Sequence, residues 1–190
     1  MKLNITLIVI AILIGFGATL LMDRKPTHQA KEVRNVPIEM TTVVAEQKHR
    51  IPSVRFTTLD GKTVHLEDLR GHTILMNFWA SWCAPCIAEL PQLLELARKE
   101  DQKDMFFIFI SSDLNQEALN SFLTKFPAQN LKQKNVMIAW DENGTITRDI
   151  FQTFQLPETV LIDADGILQH KIVGIVDWES DEILKLISGL

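Results

Sequence analysis

The stretch TILMNFWASWCAPCIAELP, residues 73–91, decides the fold of this 190-residue chain. Its first seven residues are mostly apolar strand formers, the pattern typical of a strand that is covered on both faces. A helix is predicted over residues 84–100, because apolar side chains recur at helical spacing through residues 90–97. The only two cysteines, Cys83 and Cys86, fall where the strand gives way to the helix. The stretch therefore predicts a strand–turn–helix unit with both thiols at the start of the helix.

Four kinds of site could use this pair of cysteines. A structural disulfide would close a very small loop and would therefore contribute little stability. A zinc site would need two further ligands, and the histidines are scattered along the chain at His28, His49, His65, His72 and His170. A c-type haem attachment site requires histidine directly after the second cysteine, where this chain has Ile87. We therefore predict the fourth kind, a redox dithiol at a strand-to-helix junction.

The start of a helix suits the redox chemistry of a thiol, because unpaired N–H groups and the helix dipole stabilise a thiolate there. Cys83 comes first and is the predicted nucleophile. Cys86, one turn inside the helix, is the predicted resolving thiol that releases the substrate. Pro85 fits the first helical turn, where its missing N–H costs nothing. No cation or histidine lies between the cysteines, which favours a reductant. The dithiol is itself the redox group, so no cofactor and no metal are expected.

Strands and helices alternate through residues 51–190, which predicts an α/β sandwich with helices on both faces of a mixed sheet. Before the cysteines, Asp60-Gly61 predicts the turn of a hairpin. Beyond the active-site helix, strands are predicted at residues 105–110, 136–139, 159–162 and 167–173, and helices at residues 116–126, 147–154 and 177–190.

Residues 3–22 form an almost continuous apolar run without charge. A bilayer-spanning helix needs about 20 such residues, whereas a core helix would show a polar face and a cleaved signal peptide an Ala-x-Ala-like site. We therefore predict three segments. They are an uncleaved transmembrane signal-anchor over residues 1–22, a polar tether over residues 23–50 and a folded domain over residues 51–190.

Charge constrains the partners and the orientation. The formal net charge of −5 and the pI of about 5.5 provide no basic surface for nucleic acid, so we exclude that class of partner. Read literally, the positive-inside rule places the domain in the cytoplasm, because Lys2 precedes the apolar run and Arg24, Lys25, Lys31 and Arg34 follow it. An anchored dithiol meets exported thiols only outside the cytoplasm, however. We therefore expect a single-pass protein of the inner, cytoplasmic membrane with its domain on the periplasmic side.

The segment NFWASWCAPCIAELP, residues 77–91, resembles the active site of thioredoxin-like oxidoreductases of the TlpA/ResA/DsbE (CcmG) type. These are membrane-anchored enzymes of the bacterial cell envelope. The resemblance covers residues 51–190, with residues 60–71 similar to the family's N-terminal hairpin and residues 115–135 similar to its central αβ insert. It implies a thioredoxin-like α/β/α sandwich with a mixed central sheet, preceded by one transmembrane helix.

The resemblance also implies roles for residues around the cysteines. Pro157 matches the family's cis-proline, which would lie against Cys83, although a trans proline that merely ends a helix is the alternative. Leu156 would then offer its backbone to an extended substrate chain, and Trp79 and Trp82 would form the floor and rim of the site. The residues expected to contact substrate are Trp82, Pro85, Leu156 and Thr159, and the structural neighbours are Asn77, Trp79 and the helix-kinking Pro91.

Two departures from related sequences concern proton transfer. Asn77 stands where ordinary thioredoxin has a proton-accepting aspartate, and Ala84 stands where some relatives have a glutamate. Glu158 could raise the pKa of a nearby thiol by repulsion, or it could be a solvated loop carboxylate. Glu89, one turn after Cys86, is the weaker candidate and could be a surface residue. The proton-handling group is therefore left open.

These observations predict a membrane-anchored thiol–disulfide oxidoreductase that reduces disulfides in exported proteins. The family resemblance implies apocytochrome c as one substrate, and a membrane thiol carrier is the expected electron donor. One alternative is a disulfide oxidase or isomerase, which a reduction potential would distinguish. Another is a non-enzymatic Cu(I) carrier, because two thiolates are soft ligands.

Overall fold

A computed structural model describes residues 43–100 and 104–190 of the chain. Within these residues, six strands form one sheet and two form a separate hairpin. The strands are β1 (Val43–Arg50), β2 (Arg55–Thr57), β3 (Thr63–His65), β4 (Thr73–Trp79), β5 (Met105–Ser111), β6 (Val136–Trp140), β7 (Glu158–Ile162) and β8 (Ile167–Val173). The order in the large sheet is β1-β8-β7-β4-β5-β6, and β2 pairs with β3.

Helices connect these strands and cover the sheet. The α-helices of the described residues are α1 (Ala84–Glu100), α2 (Gln116–Leu123), α3 (Ala128–Leu131) and α4 (Asp181–Ser188). A 3-10 helix covers Leu66–Leu69 and a π-helix covers Thr145–Ile150. Helix α1 follows β4 and continues through Pro91, although proline provides no N–H for the carbonyl one turn before it.

Strand β4 lies inside the sheet and sets its mixed character. It pairs in parallel with β5 and antiparallel with β7. Strand β6 extends the parallel part, and β8 and β1 extend the antiparallel part. All residues of β4 after Thr73 are buried, as expected for an apolar strand with both faces covered. The mixed sheet predicted from the sequence is thereby confirmed.

Successive residues of β4 point to opposite faces of the sheet and therefore enter two hydrophobic cores. Leu75 and Trp79 join the core that contains buried residues of α1, α2 and α4. Met76 and Phe78 join the core that contains the β2–β3 hairpin and the π-helix. Both cysteines belong to the first core, so the redox centre lies on the α1 face of the sheet.

The domain begins earlier than the expected boundary at residue 51. Strand β1 lies within the segment assigned to the tether, and it pairs antiparallel with β8 from Val43 opposite Val173 to Arg50 opposite Ile167. The polar composition of this segment predicted a tether, but hydrogen bonding to β8 makes it an edge strand. The remainder of the predicted tether lies outside the described residues.

Three predicted helices are shorter than expected. Helix α2 ends at Leu123, and a separate α3 begins after Pro127. The helix expected over residues 147–154 is a π-helix over Thr145–Ile150, whose first N–H groups bond to the Asp141 carboxylate. The helix expected from residue 177 begins at Asp181, because the Ser180 side chain accepts from the Ile183 N–H. A side-chain cap thus sets the start of α4, while the Asp141 carboxylate binds the first turn of the π-helix.

The predicted transmembrane span over residues 3–22 lies outside the described residues. Within residues 43–100 and 104–190, no helix combines the length and apolar character needed to cross a bilayer.

Truncation tests the position of the domain boundary. A chain that starts at residue 43 should keep the full stability of the folded domain. A chain that starts at residue 51 loses the six cross-strand pairs between β1 and β8, at a cost of about 3 kcal/mol if each pair contributes about 0.5 kcal/mol. Urea denaturation of both chains measures the difference. Equal stabilities would show that β1 contributes nothing to the fold.

Candidate active site

Cys83 and Cys86 form a disulfide with an S–S distance of 2.02 Å and a Cα–Cα distance of 5.3 Å. The bond lies where the chain passes from β4 into α1. A tight turn precedes it, in which the Cys83 N–H donates to the Ala80 carbonyl at 3.1 Å. The strand–turn–helix unit predicted from the sequence therefore brings both thiols to the start of the helix.

The two sulfur atoms have different surroundings. The backbone N–H of Cys86 donates to the Sγ of Cys83 at 3.3 Å, so a free N–H of the helix start already points at this sulfur. Cys83 is 6% exposed, whereas Cys86 is 1% exposed. Both differences favour Cys83 as the thiol that a substrate reaches and as the better stabilised thiolate.

The Leu156–Pro157 peptide bond is cis, as the family resemblance implied. Pro157 is buried, and its carbonyl accepts from the Gly174 N–H at 2.9 Å. Leu156 is half-buried, and its backbone N–H and carbonyl make no hydrogen bond within the described part of the chain. These two backbone groups are available to a bound polypeptide.

Trp82 and Leu156 both line a groove of about 570 Å³. Four large apolar side chains are exposed in the described residues, and three of them line this groove. They are Trp82 at 62%, Leu114 at 88% and Phe154 at 83% exposure. The exposed Trp82 thus lies where the family resemblance implied a rim, and Leu114 and Phe154 line the same groove. Pro85, in the first turn of α1, is half-buried.

The buried polar network near the cysteines is centred on Glu89. Its Oε1 accepts from the Asn77 amide at 2.9 Å, and its Oε2 accepts from the Trp178 indole N–H at 3.2 Å. The same Asn77 amide donates to the Thr159 hydroxyl at 3.0 Å. Glu89 is 2% exposed, and removal from water raises its pKa from 4.5 to about 7, an effect that the Trp178 and Asn77 hydrogen bonds only partly offset.

Glu89 is thus a buried acid, and its interpretation as a surface residue is wrong. It lies one turn after Cys86 on α1, so the two side chains share one face of the helix. The spacing of three residues from Cys86 was the feature of the sequence that pointed to Glu89. The missing information was the hydrogen bond from Asn77, which β4 supplies across the interface between sheet and helix.

Glu158 has a different role from the two that the sequence suggested. It is 3% exposed, so it is not a solvated loop carboxylate. It pairs with Phe78 on β4 and therefore points to the face opposite the cysteines. The Thr153 hydroxyl and the Lys171 ammonium, the latter at 3.0 Å, contact its carboxylate. Burial raises the pKa of Glu158, and these two partners oppose that rise. Its contacts support an ion pair beneath the cis-proline segment rather than the tuning of a thiol.

Other predicted neighbours of the site also have defined positions. Thr159 is 2% exposed and bonds to Asn77, so it belongs to the buried network and is not placed to contact substrate. Trp79 is buried and packs against Phe122 with 5.6 Å between ring centroids, which makes it a core residue. Pro91 lies on the exposed side of α1. Within residues 43–100 and 104–190, no cluster of His, Cys, Asp or Glu is suited to a metal ion.

The pH dependence of stability tests the environment of Glu89. Because folding raises the pKa of Glu89 from 4.5 to about 7, the folded protein binds this proton more tightly than the unfolded chain does. The resulting stabilisation is complete below the unfolded pKa and is lost as the pH rises through the folded pKa. Relative to Glu89→Gln, the free energy of unfolding of the disulfide-bonded wild type should fall by about 3 kcal/mol between about pH 4 and pH 8.

Chemical denaturation at a series of pH values measures this difference. Glu182→Gln, at an exposed position, is the control and should leave the pH profile unchanged. A difference between wild type and Glu89→Gln that does not vary with pH would contradict the raised pKa.

The sequence is similar to that of known thiol–disulfide oxidoreductases. A sequence model of the Redoxin family matches residues 46–187. A thiol-disulfide oxidoreductase ResA of Bacillus cereus is 34% identical over 123 residues, which are 65% of this chain and 67% of the relative. Thiol:disulfide interchange protein DsbE of Pseudomonas aeruginosa is 34% identical over 110 residues, which are 58% of this chain and 56% of the relative.

A solved structure of a thiol:disulfide interchange protein has a similar fold. A crystal structure of a DsbE-type thiol:disulfide interchange protein from Chlorobium tepidum superposes with a TM-score of 0.66 at 23% identity. The match covers 76% of this chain and 98% of that one, and it establishes a thioredoxin-like α/β fold with a mixed central sheet. The chain therefore belongs to the Redoxin family and, within it, to the ResA and DsbE group of thiol–disulfide oxidoreductases, with Cys83 and Cys86 as its redox-active pair.

Proposed function

We propose that this oxidoreductase is a membrane-anchored protein of the cell envelope that reduces disulfides in exported proteins. The observation that carries the proposal is the environment of its cysteines. Cys83 faces a helix N–H, and Glu89, whose pKa burial raises to about 7, lies one turn from Cys86. This arrangement supplies a stabilised nucleophile and a nearby proton acceptor that titrates in the physiological range.

The reaction needs only the two thiols and a proton acceptor. In the reduced protein, the Cys83 thiolate attacks one sulfur of a substrate disulfide, and the other substrate sulfur leaves as a thiolate and takes up a proton. Cys86 then loses its proton, which we assign to Glu89, and attacks the Cys83 sulfur of the mixed disulfide. The substrate leaves with both its sulfurs reduced, and the protein keeps the Cys83–Cys86 disulfide. The disulfide itself is the redox group, so the reaction uses no bound cofactor.

The groove beside the disulfide suits an extended polypeptide. The free backbone groups of Leu156 can pair with a substrate strand, while the exposed side chains of Trp82, Leu114 and Phe154 provide apolar contacts along the groove. These contacts support a protein substrate over a small thiol, which would leave most of this surface unused.

The cellular setting is proposed from the sequence and from the family. The apolar run at residues 3–22 would anchor the protein in the inner, cytoplasmic membrane and leave the oxidoreductase domain on the periplasmic side. Apocytochrome c is the proposed substrate because the resemblance to the TlpA/ResA/DsbE type implies it. A membrane thiol protein would return two electrons to the Cys83–Cys86 disulfide after each turnover.

Replacement of the resolving cysteine tests the assignment of the two thiols. Cys86→Ser should accumulate mixed disulfides with substrate proteins, since Cys83 can attack but nothing can release the product. Cys83→Ser should accumulate none, because Cys86 is almost fully buried. Non-reducing electrophoresis followed by mass spectrometry identifies the trapped partners, including any apocytochrome c. Trapping by Cys83→Ser alone would reverse the two roles.

The direction of electron flow can be measured directly. We expect a reduction potential near that of thioredoxin, about −270 mV, because neither residue between the cysteines carries a cation that would stabilise the thiolate. Equilibration with redox buffers of defined potential, followed by thiol alkylation, gives the value. A potential of about −120 mV would identify an oxidase instead.

Reporter fusions test the proposed orientation in the membrane. A reporter that works only outside the cytoplasm, fused to the C-terminus, should show activity. Activity of a cytoplasmic reporter alone would contradict the proposed orientation.

A further inference from the structure

A buried carboxylate, Asp113, lies beside the turn that carries Cys83. It follows β5 by two residues and is 3% exposed. The backbone N–H of Ser81 donates to both of its oxygens at 3.1 Å, and the Ser81 hydroxyl donates to Oδ1 at 2.5 Å. The Ser111 hydroxyl donates to Oδ2 at 2.7 Å. Three of these four hydrogen bonds therefore come from one residue of the active-site turn.

The charge of Asp113 is compensated by neutral donors. Among the ion pairs within the described residues, none includes Asp113. A buried charge without a counter-ion costs stability unless hydrogen bonds replace the lost water, and here they come mainly from Ser81. The carboxylate therefore binds mainly to the active-site turn, and it has no counter-ion within the described residues.

The turn that Asp113 contacts sets the position of the nucleophile. The Cys83 N–H donates to the Ala80 carbonyl at 3.1 Å, which places Ser81 and Trp82 at the corner of the turn. Asp113 is itself held by β6, because its backbone carbonyl accepts from the Trp140 indole N–H at 2.8 Å. The ends of β5 and β6 therefore form a fixed support for the turn.

We propose that Asp113 is a positioning residue that keeps Cys83 aligned after the disulfide is broken. In the oxidised protein the S–S bond also holds Cys83 against Cys86. In the reduced protein that covalent link is gone, so the hydrogen bonds to Ser81 carry more of the restraint. These hydrogen bonds hold Cys83 in the alignment in which the Cys83–Cys86 bond forms, so Asp113 stabilises the oxidised form more than the reduced form. The inference holds for either direction of electron flow, so it does not depend on the proposed reductase function.

Matched substitutions in the full-length protein test this proposal. Asp113→Asn keeps the side-chain volume but leaves one acceptor oxygen where there were two. We expect its equilibrium constant for reduction by dithiothreitol to rise about tenfold, which makes the potential about 30 mV less negative for this two-electron couple. Ser81→Ala should shift the constant in the same direction, by about threefold, since it removes one hydrogen bond to the same carboxylate. Ser111→Ala removes the two hydrogen bonds between the Ser111 hydroxyl and Asp113, neither of which involves the turn, and should leave the constant unchanged.

Melting temperatures in both redox states distinguish positioning from a general structural role. The proposal expects Asp113→Asn to lower the melting temperature of the disulfide-bonded protein more than that of the reduced protein, because the reduced turn can relax when these hydrogen bonds are lost. Equal losses in both states with an unchanged redox equilibrium would show that Asp113 only stabilises the fold. A less negative potential for Asp113→Asn, with no effect of Ser81→Ala, would show that the charge acts on the thiol directly, and it would equally overturn the proposal. If Asp113→Asn fails to fold, the comparison of Ser81→Ala with Ser111→Ala decides.

Discussion

The redox centre depends on the junction at which β4, buried inside the sheet, passes into α1. The strand is fixed on both sides by β5 and β7, so the turn that follows Trp79 has a defined starting point. The helix then begins at Ala84, which directs the backbone N–H of Cys86 at the sulfur of Cys83. The start of the helix stabilises a thiolate at Cys83, without a cation between the two cysteines. The other features of the site either hold this junction in place or form the groove beside it.

The sheet separates two environments that the sequence places next to each other. Glu158 and Thr159 are consecutive in β7, yet their side chains enter opposite cores. Thr159 joins Asn77 and Glu89 on the face that holds the cysteines. Glu158 pairs with Lys171 on the other face, and the same ammonium donates to the Phe151 and Gln152 carbonyls. The ion pair thus ties both ends of the segment that leads to the cis-proline, while the acid near the thiols comes from α1.

Four carboxylates are buried within the described residues, those of Glu89, Asp113, Asp141 and Glu158, and the three nearest the active site are stabilised in three ways. Glu158 has a cation and a hydroxyl group. Asp113 has neutral donors that come mostly from one turn. Glu89 has only one amide and one indole N–H, so desolvation prevails and raises its pKa to about 7. The least compensated of the three is the one suited to exchange a proton with a thiol, because its two protonation states are close in free energy near neutral pH.

The sequence by itself determined the strand–turn–helix unit, the redox role of Cys83 and Cys86 and the α/β class, since these follow from local periodicity and from the spacing of two residues. Through the family resemblance, it also indicated Trp82 as the rim and the cis geometry of Pro157. Only the tertiary structure decided that residues 43–50 form an edge strand, that Glu89 is the buried acid and that Thr159 lies beneath the surface. Each of these depends on a partner distant in the chain, as Glu89 depends on Asn77 and Trp178. Burial and hydrogen bonding between distant segments exist only once the sheet and helices have packed together, so no local pattern can reveal them.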